Sequence, residues 1–141
     1  MSRALYMLDT DTASFFLRGR YPSIDARLKE LDGSEFCISV ITRAELMYGL
    51  QLAAPTHQAH LRVRRFLAGI AILDWDQAAA DAYAALRYQM KVQGTPVAEP
   101  DMMIAAHAMS LGAVLVTNNT RHFQHMVPPL VIENWVSPDA G

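Results

Sequence analysis

Ala4-Leu5-Tyr6-Met7-Leu8-Asp9-Thr10-Asp11-Thr12 is a short β-prone run that ends abruptly on two carboxylates and two threonines. Its five apolar residues are too few for a secretory or membrane-spanning segment, and they read as a buried strand. Outward from this run, β-prone stretches recur at residues 36–41, 71–73, 114–117 and 130–132. Between them lie stretches of helical period at residues 12–18, 23–31, 42–52, 56–67, 76–93, 100–111 and 120–125. Strands alternating with helices in this way predict an α/β fold, a parallel sheet covered by helices. The clearest helix is 76–93, where Ala79, Ala82, Tyr83, Leu86 and Met90 recur at helical spacing and Gly94 follows as a stop. The helix at 100–111 opens on Pro100, keeps Ala105 and Ala106 small for close packing, and stops at Gly112.

With 141 residues, the chain is expected to form one domain over 1–141, with its core at about residues 5–135 and a frayed tail at 137–141. Apolar residues make up 52% and charged residues 18%, which excludes disorder and leaves an apolar excess that points to a partner. The net charge of −2 excludes a protein that coats nucleic acid, though not a nucleic-acid enzyme with a local basic rim. Ten of the twelve basic residues are Arg, the better residue for forked contacts to phosphate, although codon bias in a GC-rich genome explains this equally well. A single cysteine, Cys37, allows neither an intramolecular disulfide nor a thiolate cluster, which fits a reducing cytoplasm. The least charged stretch, residues 102–116, falls short of the roughly 20 residues a membrane helix needs, so no membrane association is expected.

In an open parallel sheet, ligands sit beyond the carboxyl ends of the strands, so the residues just after each strand decide the chemistry. Asp9 follows the first strand, Glu45 lies beyond the second, Asn119 follows the fourth, and Asp101 stands in the first turn of its own helix. Each also has a plain structural role. Asp9 or Asp11 can cap the helix that follows. Glu45 completes a capping box with Thr42, and taken alone that reading wins. Asp101 favours the positive end of its helix dipole, and Asn119 is a turn residue. Three carboxylates and an amide at one sheet edge nevertheless form a set. Carboxylates repel one another by about 4 kcal/mol per pair at roughly 4 Å and an effective dielectric near 20, so such a set must hold a cation or protons. His107 sits on an apolar stripe and reads as a hydrogen-bonded core residue. The pairs His57/His60 and His122/His125 lack a Cys or carboxylate at metal spacing and read as surface. Arg62, Arg64 and Arg65 spread around their helix, fitting a solvated face or a phosphate rim. No serine-hydrolase elbow, phosphate-binding loop or dinucleotide fingerprint occurs.

Four motifs stand in register over almost the whole chain: Tyr6-Met7-Leu8-Asp9-Thr10-Asp11-Thr12; Thr42-Arg43-Ala44-Glu45-Leu46; Asp101-Met102-Met103-Ile104-Ala105-Ala106-His107-Ala108; and Val116-Thr117-Asn118-Asn119. In order and spacing they resemble the PIN-domain ribonucleases of the VapC toxin type. The resemblance implies a five-stranded parallel sheet of order 3-2-1-4-5 flanked by helices, and an acidic metal-binding triad at Asp9, Glu45 and Asp101. It implies a Mg2+- or Mn2+-dependent endoribonuclease, with Asn119 where many relatives carry a fourth acid. Toxins similar to this form cleave initiator tRNA in its anticodon region, and the resemblance implies a homodimer held inactive by a VapB-like antitoxin. Arg43, Arg87, Lys91 and Arg121 are the expected phosphate contacts, positioning RNA without reading it. Rivals are a Mg2+-binding receiver-like domain, with Asp74 as phosphoacceptor but Glu133 where a base is wanted, and a non-catalytic PIN-like binding module.

Overall fold

The computed structural model describes residues 4–123 and 130–136. The predicted ends of helix 120–125 and the tail 137–141, His125 among them, lie outside the described residues. In chain order the elements are β1 (Tyr6–Leu8), α1 (Thr10–Leu17), α2 (Pro22–Glu30), β2 (Phe36–Ser39), α3 (Val40–Leu52) and α4 (Ala59–Gly69). They continue as β3 (Ala71–Leu73), α5 (Gln77–Gln93), α6 (Glu99–Leu111), β4 (Val114–Val116), α7 (Thr120–Phe123) and β5 (Val131–Glu133). The strands form one sheet of order β3-β2-β1-β4-β5, every neighbouring pair parallel, as expected. The order reverses beside β1, which places the crevice of an open sheet at the carboxyl ends of β1 and β4.

Each central strand is buried on both sides because its residues alternate between two helical layers. Met7, Cys37 and Leu115 share one register and pack under α5 and α6 with Leu86, Met90 and Ile104. Leu8, Ile38 and Val116, one step along, face α1 to α4 and meet Ile24, Leu46, Leu50 and Val63. The result is a three-layer α/β/α arrangement, its close α6 layer made possible by the fully buried Ala105, Ala106 and Ala108. Gly94 and Gly112 end α5 and α6 with φ of +70° and +64°, the left-handed stop that the sequence predicts.

The largest departure from expectation is at the β2–α3 junction. Residues 36–41 were expected as strand, yet β2 ends at Ser39 and the β-branched Val40 and Ile41 already belong to α3. Ser39 Oγ accepts from the Ile41 N–H at 3.1 Å and so caps the helix two residues earlier than the Thr42 reading placed its start. Helix α4 begins at Ala59 rather than at residue 56, because His57 Nδ1 takes the Ala59 N–H at 3.0 Å and holds the preceding segment as a turn. Among the described residues no helix is long and apolar enough to cross a membrane.

Candidate active site

Asp9 leaves β1 with its backbone N–H on the Val116 carbonyl at 3.0 Å, which anchors it where β1 and β4 lie side by side. Its side chain caps α1 by accepting from the Thr12 N–H at 2.8 Å, so the plain capping role is real. Only 6% exposed, the carboxyl is pushed up to about 6 by burial. Hydrogen bonds from the Thr117 and Thr12 side chains and from the Thr12 backbone pull the other way, and the Asp11 charge adds to the rise. A cap alone would favour the ionised form. The upward shift marks a carboxylate held in a place that wants a counter-charge.

Glu45 is not part of a capping box. Because Ser39 starts α3, Thr42 is a fully buried interior residue and Glu45 stands beyond the first turn. Its Oε1 instead accepts the Thr10 hydroxyl, and Thr10 Oγ1 lies 3.1 Å from Thr42 Oγ1. The first residue of α1 thus fixes the Glu45 side chain against the start of α1, one residue past Asp9 in sequence. Asp101 occupies the first turn of α6, partly buried, and its carboxyl is raised above the usual range. Burial is the largest cause, followed by the charges of Asp11 and Glu45, with His122 opposing. A helix N-terminus by itself would lower it. The cluster therefore includes Asp11, which the sequence offered only as a cap, and His122, which was expected at the surface but is partly buried and within electrostatic reach of Asp101. His60, also expected at the surface, is partly buried.

Asn119 precedes α7, and its backbone N–H donates to Thr117 Oγ1 at 3.0 Å, supporting the threonine that bonds Asp9. That is the turn role. Of the expected phosphate contacts, Arg87 stands on α5 above the Tyr83 ring, whose hydroxyl donates to Glu99 at the start of α6. Lys91 and Arg121 are exposed on α5 and α7. Arg43, however, lines a separate depression with Met47 and Arg64, on a different face of α3 from Glu45. A cleft of about 300 Å³ does open onto Glu45, between α1, α3 and α4. Leu17, Leu46, Leu50 and Val63 wall it, and Arg18, His57 and Arg62 stand at its rim. Sequence spacing gave no sign of it, since its walls come from three helices. His107 is the buried core residue expected, with Nδ1 2.8 Å from Ser39 Oγ.

Among the described residues no three acidic, His or Cys side chains converge closely enough to hold an ion as they stand. The set is an open acidic cluster. Its donors are hard oxygens under mutual repulsion, and that chemistry fits a hard divalent cation.

Comparison with known proteins agrees with this fold. The PIN domain family matches residues 6–127. The chain is 38% identical over 130 residues to the tRNA(fMet)-specific endonuclease VapC of Salmonella typhimurium, covering 92% of this chain and 97% of that protein. Among solved structures it is similar to VapBC2 from Rickettsia felis bound to a DNA fragment from its promoter, with a TM-score of 0.84 and 31% identity over 93% of this chain and 98% of that one. DNA-bound VapBC from Salmonella typhimurium also gives 0.84, at 38% identity over 94% and 98%. The family match over residues 6–127, the shared fold and the relatives matched along nearly the whole length lead to one conclusion: the chain belongs to the PIN domain family.

Proposed function

We propose that the chain is a divalent-metal-dependent endoribonuclease, the toxin of a VapBC-type pair, acting in the cytoplasm as one PIN-like unit with its core at about residues 5–135. The observation that carries this reading is the placing of Asp101 at the first turn of α6 within reach of the charges of Asp11 and Glu45, which add to the rise that burial gives its carboxyl and join α1, α3 and α6 in one electrostatic cluster. Asp9, Glu45 and Asp101 would hold Mg2+ or Mn2+, with Asp11 adding negative potential. Such a cation, when bound, supplies Lewis acidity toward the phosphodiester and acidifies its water.

The chain's own groups do the rest. Thr117 and the Thr12 backbone hold Asp9, and Thr10 holds Glu45, so both carboxylates are oriented before any ligand arrives. Arg87, Lys91 and Arg121, on the two helices nearest Asp101 in sequence, are the proposed contacts to RNA phosphates. Asn119, whose backbone N–H supports Thr117, would bring to the site a side-chain amide in place of a fourth charge. By likeness to the tRNA(fMet)-specific endonuclease relative, the substrate is initiator tRNA, and a cut in its anticodon region is what the resemblance of the four motifs implies. The apolar cleft opening onto Glu45 would take an apolar segment of a VapB-like antitoxin, with an Arg from the same segment reaching the acids. Tyr88 and Val92, exposed at 69% and 67% on α5, supply an apolar face for a homodimer. The receiver-like alternative loses ground because β5 ends on Glu133, paired with Arg27 at 3.2 Å, where that alternative needs a Lys.

The test is direct. Purified chain with Mg2+ should cut initiator tRNA, and Asp101→Asn should slow cutting by about two orders of magnitude or more while keeping the fold. Expression alone should arrest growth, and co-expression with the neighbouring small reading frame should relieve it. Wild-type cutting by a folded Asp101→Asn chain would sink the triad. Harmless expression of the folded chain would sink the toxin reading.

A further inference from the structure

His107 is a fully buried titratable group that the proposed chemistry does not use. Its position explains why it is there. The ring sits on α6, and Nδ1 lies 2.8 Å from Ser39 Oγ, the hydroxyl that ends β2 and caps α3. A serine hydroxyl has one proton and two lone pairs. One lone pair takes the Ile41 N–H at 3.1 Å, and the hydroxyl proton goes to Nδ1 when the ring's own proton, on Nε2, is given to the Asp74 backbone. The ring also bonds the backbone of Asp74, just past β3. A neutral imidazole with its proton on Nε2 satisfies all these partners at once. Burial holds the ring below its ordinary pKa, opposed by the charges of Asp76 and Asp74, both from the loop between β3 and α5. Trp75 of that loop donates to the Met103 carbonyl at 3.0 Å, a second tie between the loop and α6.

Glu45 lies six residues beyond Ser39 along α3, and Asp101 lies six residues before His107 along α6. The backbone of each acid is therefore displaced by about 9 Å along its helix from a residue that makes this one hydrogen bond. We propose that His107 is a positioning residue of the acidic site, setting the separation of Glu45 and Asp101 through its bond to Ser39. The inference rests on the metal-site reading above and adds the device that spaces its members. A slip of α6 against the β2–α3 junction would move Asp101 relative to Glu45, and the His107–Ser39 bond opposes that slip.

The experiment is calorimetric titration of the metal-free full chain with Mn2+ alone, with tertiary circular dichroism to confirm the fold. His107→Leu should weaken Mn2+ binding about tenfold, the low end of the effect of groups that orient metal ligands. His107→Asn, whose Oδ1 can accept the Ser39 proton as Nδ1 does, should restore binding substantially. Wild-type affinity in folded His107→Leu overturns the proposal, as does an Asn variant no better than Leu. If the Leu variant does not fold, Ser39→Ala removes the same bond together with the α3 cap, and unchanged binding overturns the proposal. Weakened binding supports it only where His107→Asn, which keeps the cap and the bond, binds Mn2+ nearly as the wild type does; weakened binding in both overturns it. Asp101→Asn serves as the reference. Should it bind Mn2+ as the wild type does, the metal site itself falls and the positioning role with it, a result distinct from loss of binding in Asp101→Asn but not in the His107 variants.

Discussion

Thr10, the first residue of α1, donates its hydroxyl to Glu45 Oε1 in the middle of α3. The bond crosses between two helices that share no strand, and it turns a surface-facing glutamate toward the carboxyl edge of the sheet. Thr42, close to Thr10 Oγ1 and fully buried, backs the pair from the same helix.

Replacing that hydroxyl by a methyl tests the arrangement. Thr10→Val keeps the volume and should cost about 0.5–1.5 kcal/mol of stability, the net worth of an ordinary hydrogen bond. Metal affinity should fall about tenfold, since the ligand loses the group that orients it. Thermal melts and Mn2+ titration read the two effects separately, and an unchanged affinity would mean that Glu45 needs no such support.

Asp9 makes stability depend on pH in an uncommon direction. Its carboxyl rises from 3.8 to about 6 on folding, so the folded chain holds this proton more tightly than the unfolded chain. The stabilisation is present in full below the unfolded value and is lost as pH rises through the folded one. Relative to the protonated form, ionised Asp9 in the metal-free chain therefore carries a penalty of up to about 3 kcal/mol. Asp9→Asn keeps a competent helix cap and removes the charge. It should raise the metal-free melting temperature at pH 7.5 by about 5–10 °C and leave it nearly unchanged at pH 4. Equal shifts at both pH values would contradict the assignment.

Chelation should stop RNA cleavage, and Mg2+ or Mn2+ should restore it, because all-oxygen donors suit either ion. Mn2+ is expected to serve at least as well. Gel assays after dialysis against chelator decide the point, with cutting in excess chelator as the contrary result.

Asn119→Asp introduces charge one turn residue away from Thr117, which bonds Asp9. If the side chain reaches the ion, Mg2+ should bind roughly tenfold more tightly, since charge count tunes such sites over decades. The metal-free chain should lose stability near pH 7 through added repulsion. Identical Mg2+ affinity in the two forms would leave position 119 as a turn residue only.

Much of the fold could be read from the sequence, because apolar runs such as Tyr6-Met7-Leu8 and helix stops such as Gly94 and Gly112 are local signals. The sheet order came from resemblance, since nothing in a single strand names its neighbour. Val40 and Ile41 misled as strand residues because a hydroxyl one position earlier decides that junction. The acids Asp9, Glu45 and Asp101 were visible as residues following strands or opening a helix. Asp11 and His122 were not, because their approach to Asp101 is a product of tertiary packing. The Glu45 capping box was a sound local motif, displaced once Ser39 fixed where the helix begins.

Pairing of β1 with β4 joins Tyr6 to Val114 across most of the chain. Contacts of such long range close late in folding, after the loop entropy of the intervening segment has been overcome. The Thr12 cap of Asp9 is local, but its ties to Val116 and Thr117 come from the end of β4 and just beyond, so its place against the sheet is complete only on that closure. The consequence is temporal: a growing chain emerging from the ribosome carries Asp9, Glu45 and Asp101 before it has a site. On the proposed function, cutting power would arrive only with β4, when the covering partner must already be at hand.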